Sequence, residues 1–259
     1  MDIDRGDEDL YVCERCHDTG WVVIDNTAYH CDCYQGRHKN SLEEQANVPE
    51  RYSHCSFLNY HPGNNLSLAK ALKTAEEFVK FYPAKRDGLL FMGGCGVGKT
   101  HLCVAIINEL IGTKSVPCLF VDFRGILEEI KETYGESGEV TESDILEPVL
   151  ETEVVVLDDL GAERTNQWVL DRLGFIINYR YSHKKTMIVT TNFLDDTGGR
   201  GGLERRAETL QDRIGVRLRS RLYEMCRLVE VKAPDYRHEM SSLSKGSSSK
   251  PKKPRRRSE

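Results

Sequence analysis

The most constraining feature of this chain is an unbroken run, Gly93-Gly94-Cys95-Gly96-Val97-Gly98-Lys99-Thr100, that fits G-x-x-x-x-G-K-[ST] in full. It follows the apolar run Leu89-Leu90-Phe91-Met92 and opens a helical stretch from Thr100 to Leu110. Glycines let a backbone wrap its N–H groups around phosphates, Lys99 neutralises the β and γ phosphates, and Thr100 offers a hydroxyl to Mg²⁺. The helix N-terminus adds its positive end. His101 follows on the same helix and belongs to the expected nucleotide-contacting set. The strand before the loop and the helix after it separate this reading from an ordinary glycine-rich turn.

Three further apolar runs, Cys118-Leu119-Phe120-Val121, Val154-Val155-Val156-Leu157 and Met187-Ile188-Val189, are spaced by helical stretches. Runs apolar throughout, rather than alternating, suit strands covered on both faces, the habit of parallel sheets. An α/β layered domain is expected. The second of these runs ends in Asp158-Asp159-Leu160-Gly161, and carboxylates at the C-terminal end of a parallel strand face the crevice where ligands sit. Asp158 is assigned to the magnesium ion and Asp159 to orienting and activating the attacking water. The third ends in Thr190-Thr191-Asn192, whose amide can bond the lytic water or the γ-phosphate.

Residues 208–225 read as one helix, with Leu210, Ile214, Leu218 and Leu222 on a stripe and Arg213, Arg217 and Arg221 in a parallel row. Like charges four residues apart repel on a helix. Such a row makes sense facing an anion: a γ-phosphate in cis or from a neighbouring subunit, or a nucleic acid backbone.

Four of the nine cysteines crowd into residues 13 to 33, as Cys13-Glu14-Arg15-Cys16 and Cys31-Asp32-Cys33. Two close pairs across a hairpin-length insert can offer four thiolates tetrahedrally to Zn²⁺, and the metal supplies folding energy that a short polar segment lacks. Iron would suit the same thiolates, and His17 and His30 flank the pairs as substitute ligands. The C-x-x-C-H match at Cys13–His17 also fits haem attachment, but leaves Cys31 and Cys33 idle. A thioredoxin-like pair would need a strand-to-helix turn, whereas Asp18-Thr19-Gly20-Trp21 leads into the strand Val22-Val23-Ile24. Cys55, Cys103, Cys118 and Cys226 sit in or beside apolar runs and read as core.

The composition, 39% hydrophobic and 30% charged, is globular, and no run approaches a bilayer span. The acidic start lacks the pattern of a secretory signal, so a cytoplasmic protein is expected. The net charge of −5 hides a polarity: residues 1–10 carry −4 and residues 241–259 carry +6. A generally basic surface is absent, so nucleic acid contacts would come from local patches or the tail. The expected organisation is an acidic disordered N-terminus (1–10), a four-cysteine zinc-binding module (11–45), a connector and helix (46–85), an ATPase domain (86–232) and a disordered basic tail (233–259). The connector helix shows apolar positions Leu66, Ala69, Leu72, Ala75, Phe78 and Val79.

Taken together, these motifs resemble the DnaC/DnaI/IstB group of AAA+ ATPases. Val48-Pro49-Glu50-Arg51-Tyr52, Ser56-Phe57-Leu58-Asn59-Tyr60 and Ile176-Ile177-Asn178-Tyr179-Arg180-Tyr181 look like that group's connecting segments. The resemblance implies an AAA+ P-loop NTPase fold with a parallel sheet flanked by helices, the Asn192 strand lying between the other two motif strands. It implies ATP at the interfaces of a self-associated oligomer, Asn192 as sensor 1, Arg217 as a finger acting in trans and Arg221 as sensor 2. It also implies a DnaC-like loader acting on a replicative DNA helicase and single-stranded DNA. The alternatives are an IstB-like transposition helper on duplex DNA, or a zinc-stapled adaptor that uses ATP as a switch. The group's DNA-binding surface would fall on residues 124–151, where Arg124 and Lys131 are the only bases, and the basic run Lys250–Arg257 could compensate through phosphate contacts.

Overall fold

Strands that are apolar on both sides must be covered on both sides, and the computed structural model places them accordingly. It describes residues 12–134, 140–163, 166–195 and 208–237; the acidic start and nearly all of the basic tail lie outside them. A small antiparallel hairpin, β1 (Trp21–Ile24) with β2 (Thr27–His30), precedes the helix α1 (Asp32–Gln45). After α2 (Leu66–Phe81) come β3 (Gly88–Gly93), α3 (Lys99–Lys114), β4 (Cys118–Asp122), α4 (Phe123–Glu132), α5 (Glu142–Glu151) and β5 (Val154–Asp158). Then follow α6 (Gln167–Ser182), β6 (Thr186–Thr191), α7 (Leu210–Ile214), α8 (Val216–Met225) and β7 (Cys226–Val231). The five long strands form one parallel sheet in the order β4-β5-β6-β3-β7, so β6 lies between the other two motif strands.

The pleat sorts successive side chains to opposite faces. Leu89, Phe91, Cys118, Phe120, Val154, Val156 and Ile188 join α2 and α3 in one core. Leu90, Met92, Val121, Val155, Leu157, Met187 and Val189 join α4, α5, α6 and the pair α7–α8 in the other. Cys55, Cys103, Cys118 and Cys226 are buried as expected, whereas Cys95 is exposed.

Three local readings need correction. The connector helix is present, but its buried face is Ala71, Thr74, Ala75, Phe78 and Val79; Leu66, at its first position, is 86% exposed. The arginine-bearing helix is two helices, because Gly215 takes a left-handed φ of +81° and breaks it between Ile214 and Val216. The chain also forms a strand, β7, where no apolar run signals one.

Buried Arg180 ties the lower end of the second layer together. It is 0% exposed and donates to the carbonyl oxygens of Val149, Leu150, Thr152, Glu153 and Thr186 at 2.5–3.2 Å. It thereby meets the last carbonyls of α5, which no intrahelical donor reaches, and holds the starts of β5 and β6 in register.

Candidate functional site

Parallel strands all end on one side, so the loops after β3, β5 and β6 converge there. Gly96 and Gly98 adopt left-handed φ values of +70° and +93°, a conformation open to glycine and strained for other residues. Gly98 is the N-cap of α3 and supplies no side-chain cap, which leaves the helix's first N–H groups available to a ligand. Lys99, 7% exposed, points back over the loop and donates to Gly93 O (2.9 Å), Gly94 O (2.7 Å) and Asn192 Oδ1 (2.7 Å). Burial pushes its ammonium below the usual lysine range, while Asp159 and Asp158 pull it back up.

The Thr100 hydroxyl donates to Asp158 Oδ1 at 3.0 Å, and that carboxylate also accepts from Thr190 Oγ1 at 2.6 Å. Burial raises the Asp158 carboxyl above its usual range against the pull of the two hydroxyls. Asp159 stands in a left-handed turn (φ +55°), its N–H given to Thr190 Oγ1 at 2.8 Å and its Oδ1 accepting from Asn192 Nδ2 at 2.5 Å. The structure thus joins Lys99, Thr100, Asp158, Asp159 and Asn192 in one hydrogen-bonded set. The loop residues Gly93 to Gly98, with Cys95 and Val97, frame it, and His101 sits in the first turn of α3 with Nε2 on Ser56 O at 3.0 Å. Thr100 Oγ1 and the Asp158 carboxylate, hard oxygen donors side by side, suit Mg²⁺.

The arginine row does not act as a unit. Arg213 pairs with Glu208 and lies over the Phe193 ring. Arg217 is exposed and lines a groove of about 730 Å³ between α6 and α8. Arg221 donates to Asn178 Oδ1 and lies over Tyr181, near the C-terminal end of α6. Because α6 leads into the start of β6, and α8 into the start of β7, that end is away from the phosphate loop. The structure therefore does not bring Arg221 to the nucleotide end of its own chain.

Another arginine is there instead. β7 runs beside β3, with Gly93 opposite Val231, so the chain leaving β7 emerges at the phosphate loop. Tyr236 N–H donates to Gly96 O at 3.1 Å, the Asp235 carboxylate lies where a Cβ on Gly96 would clash, and Arg237 Nη2 reaches Tyr52 Oη at 3.5 Å. Residues 233–237, assigned by composition to the tail, form a strap against the loop. The signal that could have found Arg237 is this topology, and it is invisible until β7 is recognised.

At the other end of the chain, Cys13, Cys16, Cys31 and Cys33 bring their four Sγ atoms within 4.8 Å of one another. Sγ–Sγ separations of 3.7 Å (Cys13–Cys31) and 3.2 Å (Cys16–Cys33) are too long for disulfides, and four converging thiols fit one tetrahedral cation. The turn is shaped by Asp18, which accepts from the N–H groups of Val12 and Cys13. Backbone hydrogen bonds push Cys13 down to about 6, while the neighbouring Cys16 thiol pushes Cys33 up to about 12. The candidate substitute ligand His30 instead stacks between Trp21 and Tyr34.

The strand order, the phosphate loop and the polar side chains on three strand ends define a P-loop nucleotide-binding protein of the AAA+ class. Residues 37–244 match the family described as IstB-like ATP binding protein, and the chain belongs to that family. It is 26% identical to the phage-like element PBSX protein XkdC of Bacillus subtilis over 252 residues, covering 90% of this chain and 86% of XkdC. It is 26% identical to the replicative helicase loader DnaC of Escherichia coli K12 over 168 residues, 65% of this chain and 64% of DnaC. The crystal structure of the DnaC helicase loader matches with a TM-score of 0.61 at 34% identity, covering 71% of this chain and all (100%) of that one. The crystal structure of DnaI matches at 0.56 and 27%, covering 75% and 98%. DnaA from Aquifex aeolicus, at 18% identity, shares the fold. No helix among the described residues is long and apolar enough to cross a membrane.

Proposed function

We propose that this protein hydrolyses ATP as a helicase loader of DNA replication, acting on a replicative DNA helicase and single-stranded DNA. One observation carries the reading: a continuous hydrogen-bonded chain links Lys99, Asn192, Asp159, Thr190, Asp158 and Thr100 across the ends of β3, β5 and β6. Group by group this is a phosphoryl-transfer site. Lys99 exchanges its carbonyl partners for β- and γ-phosphate oxygens. Thr100 and Asp158 would hold Mg²⁺, which supplies charge neutralisation when bound. Asp159 orients the attacking water and accepts its proton, and Asn192, bonded to both Asp159 and Lys99, carries word of the γ-phosphate between them. Arg237 takes the cis role first given to Arg221, because it alone of the two stands at the phosphate loop. Arg217, exposed beside the α6–α8 groove, acts in trans on the nucleotide of a neighbouring copy in an oligomer.

The four cysteines would hold Zn²⁺ as a closed structural site, with the metal supplying folding energy to the module. The module's hairpin exposes Trp21 and Val23 on one side and Ile24 and Tyr29 on the other, apolar surface suited to the helicase. The basic run Lys250–Arg257 supplies phosphate contacts to DNA that weaken with salt.

The test is steady-state ATP hydrolysis with no DNA, single-stranded DNA or duplex DNA, across protein concentrations, for wild type and Arg217→Ala. Stimulation by single strands, superlinear in concentration and lost in the variant, is expected. Duplex-only stimulation would favour a transposition helper, and tight ATP binding without turnover would favour a nucleotide-switched adaptor.

A further inference from the structure

Thr190 bonds to both strand acids and has no task in the chemistry described so far. It is 1% exposed, near the end of β6. Its hydroxyl oxygen takes the Asp159 N–H at 2.8 Å and stands 2.6 Å from Asp158 Oδ1. An amide N–H can only donate, so the oxygen accepts there, and the one hydroxyl proton goes to the Asp158 carboxylate. The Thr190 carbonyl oxygen also accepts from Leu160 N–H at 2.8 Å. Regular pairing of β5 with β6 ends at Leu157 and Val189, and one threonine holds the three residues that follow Leu157.

That hold stands against a local strain. Asp159 turns left-handed at φ +55°, a conformation that is costly for a residue with a Cβ and persists only where its surroundings fix it. The turn matters to the site, because consecutive residues of an extended strand send their side chains to opposite faces. Turned as it is, Asp159 meets Asn192 Nδ2 while Asp158 stays beside Thr100, so both carboxylates enter one hydrogen-bonded set. On Asp158, Thr190 engages Oδ1, and Thr100 Oγ1 lies 3.0 Å from Oδ1 and 3.2 Å from Oδ2. The Thr190 hydroxyl therefore sets the tilt of the carboxylate beside Thr100, the pair that suits Mg²⁺. A β-branched side chain is stiff at χ1, which keeps that hydroxyl from swinging away.

We propose that Thr190 is a positioning residue whose single hydroxyl fixes Asp158 for the magnesium ion and Asp159 for the attacking water. The proposal rests on the reading of this site as a magnesium-dependent ATPase.

The test compares the full chain as wild type, Thr190→Val, Thr190→Ser and Thr186→Val. Thr186 is also buried on β6, but its hydroxyl bonds Arg86 O at the opposite end of the strand. Its valine variant thus reports the loss of a buried hydrogen bond away from the acids. Two quantities are read: kcat with the Mg²⁺ concentration for half-maximal hydrolysis, and the calorimetric affinity for ATP with and without Mg²⁺. Thr190→Val should lower kcat and raise the half-saturating Mg²⁺, each by about 10–100-fold, as loss of a partner that orients a metal ligand does. Its ATP affinity without Mg²⁺ should match wild type. Thr190→Ser should restore both quantities, and Thr186→Val should lower only the melting temperature. Thr190→Ala removes the same hydroxyl with a smaller side chain and must give the same two shifts, which decides the case where valine prevents folding. Wild-type kcat and Mg²⁺ dependence without the hydroxyl, no rescue by serine, or equal shifts in Thr186→Val overturns the role of Thr190. Wild type without turnover at any Mg²⁺ concentration overturns the ATPase reading instead, and Thr190 is then judged by how Mg²⁺ changes ATP affinity. Indifference of that affinity to Mg²⁺ in wild type overturns both.

Discussion

Replacing Arg180 by methionine tests how the second layer is held. The guanidinium reaches five carbonyl oxygens, from α5, the turn after it and the start of β6, and no carboxylate partners it among the described residues. Burial pushes its pKa down to about 10, still far above neutrality, so it is charged in the fold at pH 7. Methionine keeps the apolar stem and abandons the carbonyls, each of which costs about 1–3 kcal/mol when left buried and unpaired. Part of that is returned, because an ion no longer has to leave water, at several kcal/mol. Water reaching the end of α5 returns more. The net loss should be about 3–5 kcal/mol, out of a total of about 5–15 kcal/mol for a domain. Guanidinium denaturation followed by circular dichroism measures it, with a fall in melting temperature of roughly 6–20 °C. Arg180→Lys should recover part of the loss, since an ammonium has three donors. A loss below about 1 kcal/mol for the methionine variant would show that the five bonds merely compensate the burial of the charge.

The other predictions concern the site. Lys99→Ala should weaken ATP at least about tenfold, because it removes a charge-assisted partner of the phosphates; equilibrium titration reads it. Asp159→Asn should spare binding and lower turnover by about 10²–10⁴, the usual worth of a positioned base, in single-turnover hydrolysis. Arg237→Ala should weaken ATP binding by dilute protein, whereas Arg221→Ala should not; the reverse result would return the cis role to Arg221. Chelation should release one Zn²⁺ per chain and unfold residues 13–33, read by metal analysis and by loss of amide protection at Cys31 N–H, which is bonded to Gly20 O.

How far each feature shows in the sequence follows from its physics. β3 to β6 are buried on both faces and so are apolar without interruption, which makes them legible one by one. β7 lies at the sheet edge: Cys226, Val229 and Val231 point inward while Arg227, Leu228 and Glu230 meet solvent. Its pattern therefore merges with the arginine-rich helix ahead of it. The phosphate loop, the strand acids and Asn192 are local in sequence, and their convergence follows once the strands are parallel. Tyr60, packed on Gly98, and Arg237, which follows the Tyr236 bond to Gly96, come near the phosphate loop only through long-range packing, which spacing does not encode. Gly215 is legible as a glycine but not as a break, because the leucine stripe continues across it in both helices.

The helix α1 joins the two ends of the molecule that carry its chemistry. Cys31 is its N-cap and Cys33 lies in its first turn, with no side chain capping its N-terminus, so the four-thiol cluster stands where a cap would. Its far end is anchored differently: Leu42 and Ala46 belong to the same core as Leu102, Ile106 and Leu110 of α3, and Ala46 O accepts from Phe120 N at the exposed edge of β4. The sequence between, with Gly36 and few apolar residues, would be a marginal helix alone. The four-cysteine module is thus fastened by a short strut to the helix whose first residues are Lys99 and Thr100.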